Sequence, residues 1–339
     1  MRLMTAAAVM VLAIILVVLW LLEPVAPLPA RYTLADCKRV ALIDAQTGGS
    51  IVGAEDLALL GDGDSLLVSA HDRRDPEMRD GGLYRVSLWG IRGAERYEAS
   101  NLIDLDTRQE AFRPHGIAVS QTGERIALVN RVGPQQTIIE IGSIEDETWA
   151  PAKRLTGNSL CRANDLNFVQ AEVETLEISL DRQSCGFSFS DVVPGSTTGR
   201  TALWDGGRLQ ISRTGLAFPN GISGEYVAET RKNRILRPAG EPIRVPGGPD
   251  NITREDRRML VVAVHPSLRR LWLYLNGAWP SAPSRVVRVN VLSSAVEVLF
   301  DDPSGEMFSG ATSAVLVDDK LIMGSVADEG LLICQKGGA

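Results

Sequence analysis

The sequence has little to offer a zinc ion or a nucleic acid. Histidines number three and cysteines four in 339 residues, and the polar clusters of the chain are rich in oxygen rather than in the nitrogen and sulfur that zinc prefers. Acidic residues outnumber basic ones by 42 to 35, for a net charge of -7, and this balance argues against a nucleic-acid partner, which calls for a basic stripe. Long amphipathic helical patterns are scarce. Strand–helix–strand alternation is absent, which excludes a parallel α/β fold. No G-x-S-x-G elbow occurs, so a serine nucleophile of the α/β-hydrolase kind has no support.

One long apolar stretch stands apart. "MTAAAVMVLAIILVVLWLL", Met4 to Leu22, carries no charge and no proline over 19 residues, a length that spans a bilayer. Arg2 lies on its amino side, so the positive-inside rule keeps the amino terminus in the cytoplasm and exports the rest. The reading is a membrane-inserted signal anchor followed by a proline-rich tether over residues 1–30, and a folded body over 31–339. Cleavage after "PLPA" is the other outcome. In both cases the body is extracytoplasmic, on the periplasmic or extracellular face.

The few cysteines fit an oxidising compartment. Cys37 opens the body and Cys334 nearly ends it, so a bridge between them would close almost the whole chain. Cys161 and Cys185 remain, either paired or as two buried thiols.

The body reads as many short β runs bounded by glycine, aspartate, asparagine or proline, among them "DSLLVSA", "RIALVNR", "MLVVAVH" and "DKLIMGSV". The expectation is an all-β fold, a propeller or a sandwich. A weak repeat decides between them. Six times a small or polar cluster leads into an apolar run, a turn and another strand: "GAEDLALLGDGDSLLVSA", "RPHGIAVSQTGERIALVNR", "RANDLNFVQAEVETLEISL", "FPNGISGEYVAETRKNRI", "PDNITREDRRMLVVAVH" and "FSGATSAVLVDDKLIMGSV". Units of about 50 residues suit four-stranded blades, hence a six-bladed β-propeller. Ring closure brings the first and last strands together, where Cys37–Cys334 would staple the seam.

In such a ring, equivalent points of the repeat converge at one end of the axis. Glu55, Asp56, His115, Asn164, Asp165, Asn220, Asp250 and Asn251 would meet there. Carboxylate and amide oxygens suit calcium, which takes six to eight hard oxygen ligands. Neighbouring strand residues point to opposite faces, so Glu55-Asp56 and Asn164-Asp165 could each serve two stacked sites.

Between residues 35 and 334 the order of "GAEDLALL", "RPHGIAV", "RANDLNFV", "FPNGIS", "GPDNI" and "AVHP" resembles that of the paraoxonases and their bacterial arylesterase-like relatives. The resemblance implies a six-bladed propeller with two calcium ions, one catalytic and one structural. By motif, Glu55, Asn164, Asn220, Asp250 and Asn251 match the ligands of the catalytic ion. Asp56, Asp165 and the Ile117 carbonyl match the structural site, and His115 matches a proposed general base. Two departures stand out. Arg131 occupies the place of a second, relay histidine, and arginine cannot accept a proton. Leu180-Asp181-Arg182 replaces an Asn-Asp-His triplet, so the pocket wall differs. Asp181, Phe218 and His265 are candidate pocket residues, while His71 in "SAHDRRD" reads as solvated, in a mobile surface loop that could overhang the mouth.

The expected function is calcium-dependent hydrolysis of small-molecule lactones and aryl esters by activated water. The alternative is a calcium-stabilised propeller acting as a binding or scaffold protein of the envelope.

Overall fold

In a computed structural model the chain is described over residues 24–169, 175–186, 188 and 195–336. The apolar run Met4–Leu22 lies outside these residues, and no described helix is long and apolar enough to cross a membrane.

The chain is all-β, built from antiparallel quartets of strands. Four of these are separate four-stranded sheets. An eight-stranded sheet joins two more quartets through one parallel pairing, Ala41–Asp44 alongside Arg96–Ala99. The arrangement is consistent with a β-propeller. We label the inner strand of each quartet: β1 (Ala54–Leu59), β2 (Pro114–Val119), β3 (Ala163–Phe168), β4 (Pro219–Ser223), β5 (Gly248–Arg254) and β6 (Ala311–Val317). Each packs on the next, and β6 packs on β1, so the inner strands close a ring.

The second strands of the quartets explain the unbroken apolar runs of the sequence. Ser65–Ala70 is buried at every position, and Met259–His265 at all but the first. Sheets cover both faces of such strands, so alternation gives way to continuous Val, Leu and Ile. Leu66, Leu128, Val262 and Leu321 are fully buried between neighbouring sheets. Each such side chain contributes about 1.5–3 kcal/mol through burial.

The last quartet is assembled from both ends of the body. Strand Cys37–Asp44 pairs antiparallel with Leu331–Gln335, and Cys37 sits opposite Cys334 and is bonded to it. Cys161 and Cys185 are also bonded, which removes the alternative of two buried thiols. No described cysteine is free, and two disulfides fit an oxidising, extracytoplasmic compartment.

One helix of functional interest interrupts the β pattern. α1 (Leu268–Leu275) starts at Ser267, whose hydroxyl accepts the Arg270 N–H at 3.4 Å. It lies beyond the strand Met259–His265 and lays Leu268, Leu271, Trp272 and Leu275 along one wall of a cavity at the end of the ring.

Candidate active site

All six inner strands break register at one equivalent place. The ladder skips Glu55 in β1, His115-Gly116 in β2, Asn164-Asp165 in β3, Asn220-Gly221 in β4, Asp250-Asn251 in β5 and Thr312 in β6. A bulge frees residues from strand pairing and re-aims their side chains. Repeated around a ring, it turns one residue per strand toward the axis. Glu55, His115, Asn164, Asn220, Asp250 and Thr312 accordingly line a single cavity of about 320 Å³. Pro114, Pro219 and Pro249 stand just before three of the bulges, where a missing N–H costs no ladder bond.

Close approach of the strands depends on glycine at two of these bulges. A Cβ on Gly116 would lie 2.6 Å from the Asp165 Cα, and one on Gly221 would lie 2.5 Å from the Asp250 carbonyl oxygen. These neighbours are backbone and cannot swing aside. Gly221→Ala should therefore push β4 from β5 and destabilise the fold by about 1–3 kcal/mol, seen as a lower denaturation midpoint.

The two halves of each acidic pair occupy different places. Glu55 and Asn164 line the cavity, whereas Asp56 and Asp165 do not. Asp56 accepts the N–H of Leu57 at 2.9 Å and, across to β2, that of Ile117 at 2.9 Å. Asp165 accepts the N–H of Leu166 at 2.7 Å and, across to β4, that of Ile222 at 2.8 Å. Burial, then the charge of Asp165, then that of Glu55 push Asp56 well above the usual carboxylate range. Burial pushes Asp165 up to about 8, against the pull of its two backbone donors. Asn251 lies outside the cavity lining and donates to the Glu55 carbonyl at 3.2 Å, beside Thr312, which donates to the same oxygen at 2.7 Å.

A cation-shaped deficit remains. Glu55 Oε2 and the Oδ1 atoms of Asn164, Asn220, Asp250 and Asn251 are buried and accept no hydrogen bond. Glu55 Oε2 lies 2.8 Å from Nδ1 of His115 but off the line of a hydrogen bond. Buried polar atoms are normally paired, and each orphan costs about 1–3 kcal/mol. Four of these oxygens, two from carboxylates and two from amides, belong to side chains that line one cavity, a hard, oxygen-only group whose chemistry fits calcium, while Asn251 lies outside the lining. Among the described residues no three His, Cys, Asp or Glu side chains form a metal cage.

Around this set the protein places charge. His115 is buried, and burial, followed by the charges of Arg131 and Arg73, pushes its imidazole down to about 3. Burial works to raise Glu55, but the His115 ring and the Arg73 guanidinium outweigh it and hold the carboxyl at about 2. Arg73 touches His115 at Nδ1, lies 3.2 Å from Nε2, and reaches Glu55 Oε1 at 3.4 Å. Asp250 Oδ2 meets His265 Nε2 at 2.5 Å, so His265 orients that carboxylate and lines the cavity. Asp181 is buried between Arg131, 3.4 Å from Oδ2, and Arg182, 3.4 Å from Oδ1. Phe218 also lines the cavity, at a left-handed φ of 59°, with the Arg231 guanidinium 5.1 Å from its ring centre.

His71 is not solvated. It is 6% exposed, its N–H donates to the Gly53 carbonyl at 3.0 Å, and burial followed by Arg73 and Arg113 lowers its ring to about 4. The strand Ser65–Ala70 carries it under the sheet before the charged loop begins. That loop reaches the mouth of the cavity, as expected, and carries hydrogen bonds of its own. Asp75 accepts from Arg79 at 2.7 Å and Asp80 accepts the Phe112 N–H at 2.8 Å. Its product is Arg73 at the cavity, a residue that no local pattern in the sequence marks. Thr312 was also missed, although its place in "SGATS" of the sixth repeat corresponds to that of Glu55 in the first.

No protein-family model and no curated protein matches the chain. Among solved structures it is similar to a gluconolactonase from Xanthomonas campestris, at 15% identity and a TM-score of 0.51, over 92% of this chain and 98% of that one. A luciferin-regenerating enzyme matches at 14% identity and a TM-score of 0.50, over 92% and 96% of the two chains. A PQQ-bound aldose sugar dehydrogenase from Streptomyces coelicolor matches at 15% identity and a TM-score of 0.52, over 91% and 99%. At these identities the likeness is one of fold. The three named activities differ, so the fold does not choose among them.

Proposed function

We propose that this chain is a six-bladed β-propeller hydrolase of the paraoxonase and arylesterase type, acting on lactones and aryl esters with two calcium ions. Glu55, Asn164, Asn220, Asp250 and Asn251 would hold the catalytic ion, and Asp56, Asp165 and the Ile117 carbonyl the structural one. The observation that carries the reading is the set of five buried, unpaired oxygens supplied by the five residues assigned to the first ion. The N-terminal segment 1–30 would anchor the body, residues 31–339, at the outer face of a membrane. The gluconolactonase and the luciferin-regenerating enzyme lend support as enzymes on a similar fold, one of them named for a lactone.

A bound calcium ion would act as a Lewis acid on the substrate carbonyl oxygen. The protein's own contribution is proton transfer and placement. The His115 ring lines the cavity with Nδ1 2.8 Å from Glu55 Oε2, and Nε2, 3.2 Å from Arg73, would take a proton from the attacking water once that guanidinium turns aside. As the ring C–O bond of a lactone breaks, the leaving alkoxide takes that proton back and a hydroxy acid departs. Arg131 donates twice to the Ala163 carbonyl, at 3.0 and 2.9 Å, and cannot relay the proton. A relay through that position is therefore closed, and the base would be His115 alone or a nearby carboxylate.

The test is hydrolysis of a panel of lactones and phenyl esters by the protein, with and without a calcium chelator. Chelation is expected to lower turnover at least about a thousandfold, in line with the loss of a preorganised electrophile, and added calcium to restore it. Full turnover in chelator would overturn the proposal.

A further inference from the structure

We propose that the cavity selects esters and lactones whose acid portion carries a free carboxylate, and that Arg73 is its docking residue. The inference deepens the hydrolase reading and rests on it. Arg73, Arg131 and Arg231 line the same cavity as Glu55, Asp181 and Asp250. Three guanidiniums thus face three carboxylates, and the wall is neutral. Two of those carboxylates, Glu55 and Asp250, belong to the proposed cation site. With a divalent ion on them the cavity carries two positive charges, which a neutral ester leaves unmatched.

The partners of each arginine show where an anion would go. Arg131 is committed: it spends two N–H groups on the Ala163 carbonyl and reaches Asp181 at 3.4 Å. Asp181 is itself shared with Arg182 on its other oxygen. Arg231 lies against the Phe218 ring. Arg73 instead faces Glu55 at 3.4 Å and the His115 ring. With Glu55 Oε2 turned to a cation, Arg73 keeps only its 3.4 Å ion contact to Oε1, and the rest of its N–H fork stays beside the reacting group. A substrate carboxylate would take those N–H groups in a charge-assisted, two-pronged contact. Leu268, Leu271, Trp272 and Leu275 of α1 line the same cavity and offer an apolar wall for the carbon chain between the two functional groups. The cavity, at about 320 Å³, is at the small end of ligand sites and suits a short acid.

The experiment compares phenyl hydrogen glutarate with phenyl hexanoate at saturating calcium, and separately measures binding of glutarate and glutaramide by calorimetry. The expected result is at least a tenfold higher kcat/KM for the acid, carried mainly by KM. Glutarate should bind and glutaramide should not. Arg73→Gln should collapse the kcat/KM ratio toward one and abolish glutarate binding, and Arg73→Lys should restore part of both. Hydrolysis of both esters without preference would overturn the selectivity and leave the hydrolase reading intact. Glutarate binding that depends on Arg73, with no ester hydrolysed, would leave the anion site standing and overturn the hydrolase reading. Glutarate binding unchanged in Arg73→Gln, or tighter binding of a phosphate monoester than of glutarate, would overturn the assignment to Arg73 or to a carboxylate.

Discussion

Stripping calcium should lower the melting temperature by about 15 °C at pH 8 and by less than half of that at pH 5. Two ions, each present a thousandfold above its Kd, would add about 8 kcal/mol to stability, and a domain of this size shifts by about 2 °C per kcal/mol. The pH dependence comes from Asp56 and Asp165. Both have raised pKa values in the folded chain, Asp165 at about 8, because they are buried and share their surroundings with further carboxylates. An unfolded aspartate titrates near pH 3.9. Between about pH 4 and pH 8 the cation-free fold therefore holds protons that the unfolded chain has released. Stability falls with rising pH wherever the folded state binds more protons, so the chelated protein weakens from pH 5 to pH 8. Bound calcium would replace those protons and remove the penalty, and at pH 5 it would first have to displace them. Melting curves at the two pH values, with calcium and with chelator, check this. A gap that is equal at both values, or wider at pH 5, would show that the buried pair does not hold the ion.

What could be read from the sequence, and what could not, follows from which interactions are local. The repeat "RANDLNFV", "FPNGIS", "GPDNI" encodes inner strands, because each cluster of small and polar residues is followed by an apolar run that must be buried. Ring closure follows from the count of repeats, and with it the meeting of Cys37 and Cys334. The bulges were hidden, because a register break exists only between two strands and neither strand announces it alone. The separation of Glu55 from Asp56 was legible as alternation, yet the structure produces it by a bulge at Glu55 together with N–H donors to Asp56 from the next sheet. Arg73 and His71 illustrate the limit. "SAHDRRD" looks like a solvated loop by composition, but its first residues continue the strand under the sheet, and one arginine folds back onto Glu55. α1 was overlooked although Leu268, Leu271, Trp272 and Leu275 stand at helical spacing, because eight residues give only about two turns, a window too short to stand out among strands.

Asn220→Ala should cut kcat/KM by about a hundred- to a thousandfold while leaving the melting temperature of the chelated protein within about 2 °C of the parent. The two halves of this expectation come from one atom. Asn220 Oδ1 is buried and accepts no hydrogen bond, so in the absence of a cation it is a liability. Removing an unsatisfied buried acceptor recovers about 1–3 kcal/mol, which offsets the small void left by truncating the side chain. With calcium present the same atom would be one of the ligands that position the ion beneath the substrate carbonyl. Losing one preorganised contact of this kind costs about 3–4 kcal/mol at the transition state, which converts to the rate loss given. The calcium-dependent rise in melting temperature should shrink in parallel. An asparagine that merely caps the entrance to β4 predicts the reverse: a lower melting temperature without calcium, and unchanged turnover per folded molecule. Kinetics and melting curves on the one variant separate the two, because a ligand oxygen is a cost to the empty fold and a gain to the loaded one, whereas a capping oxygen is a gain to both.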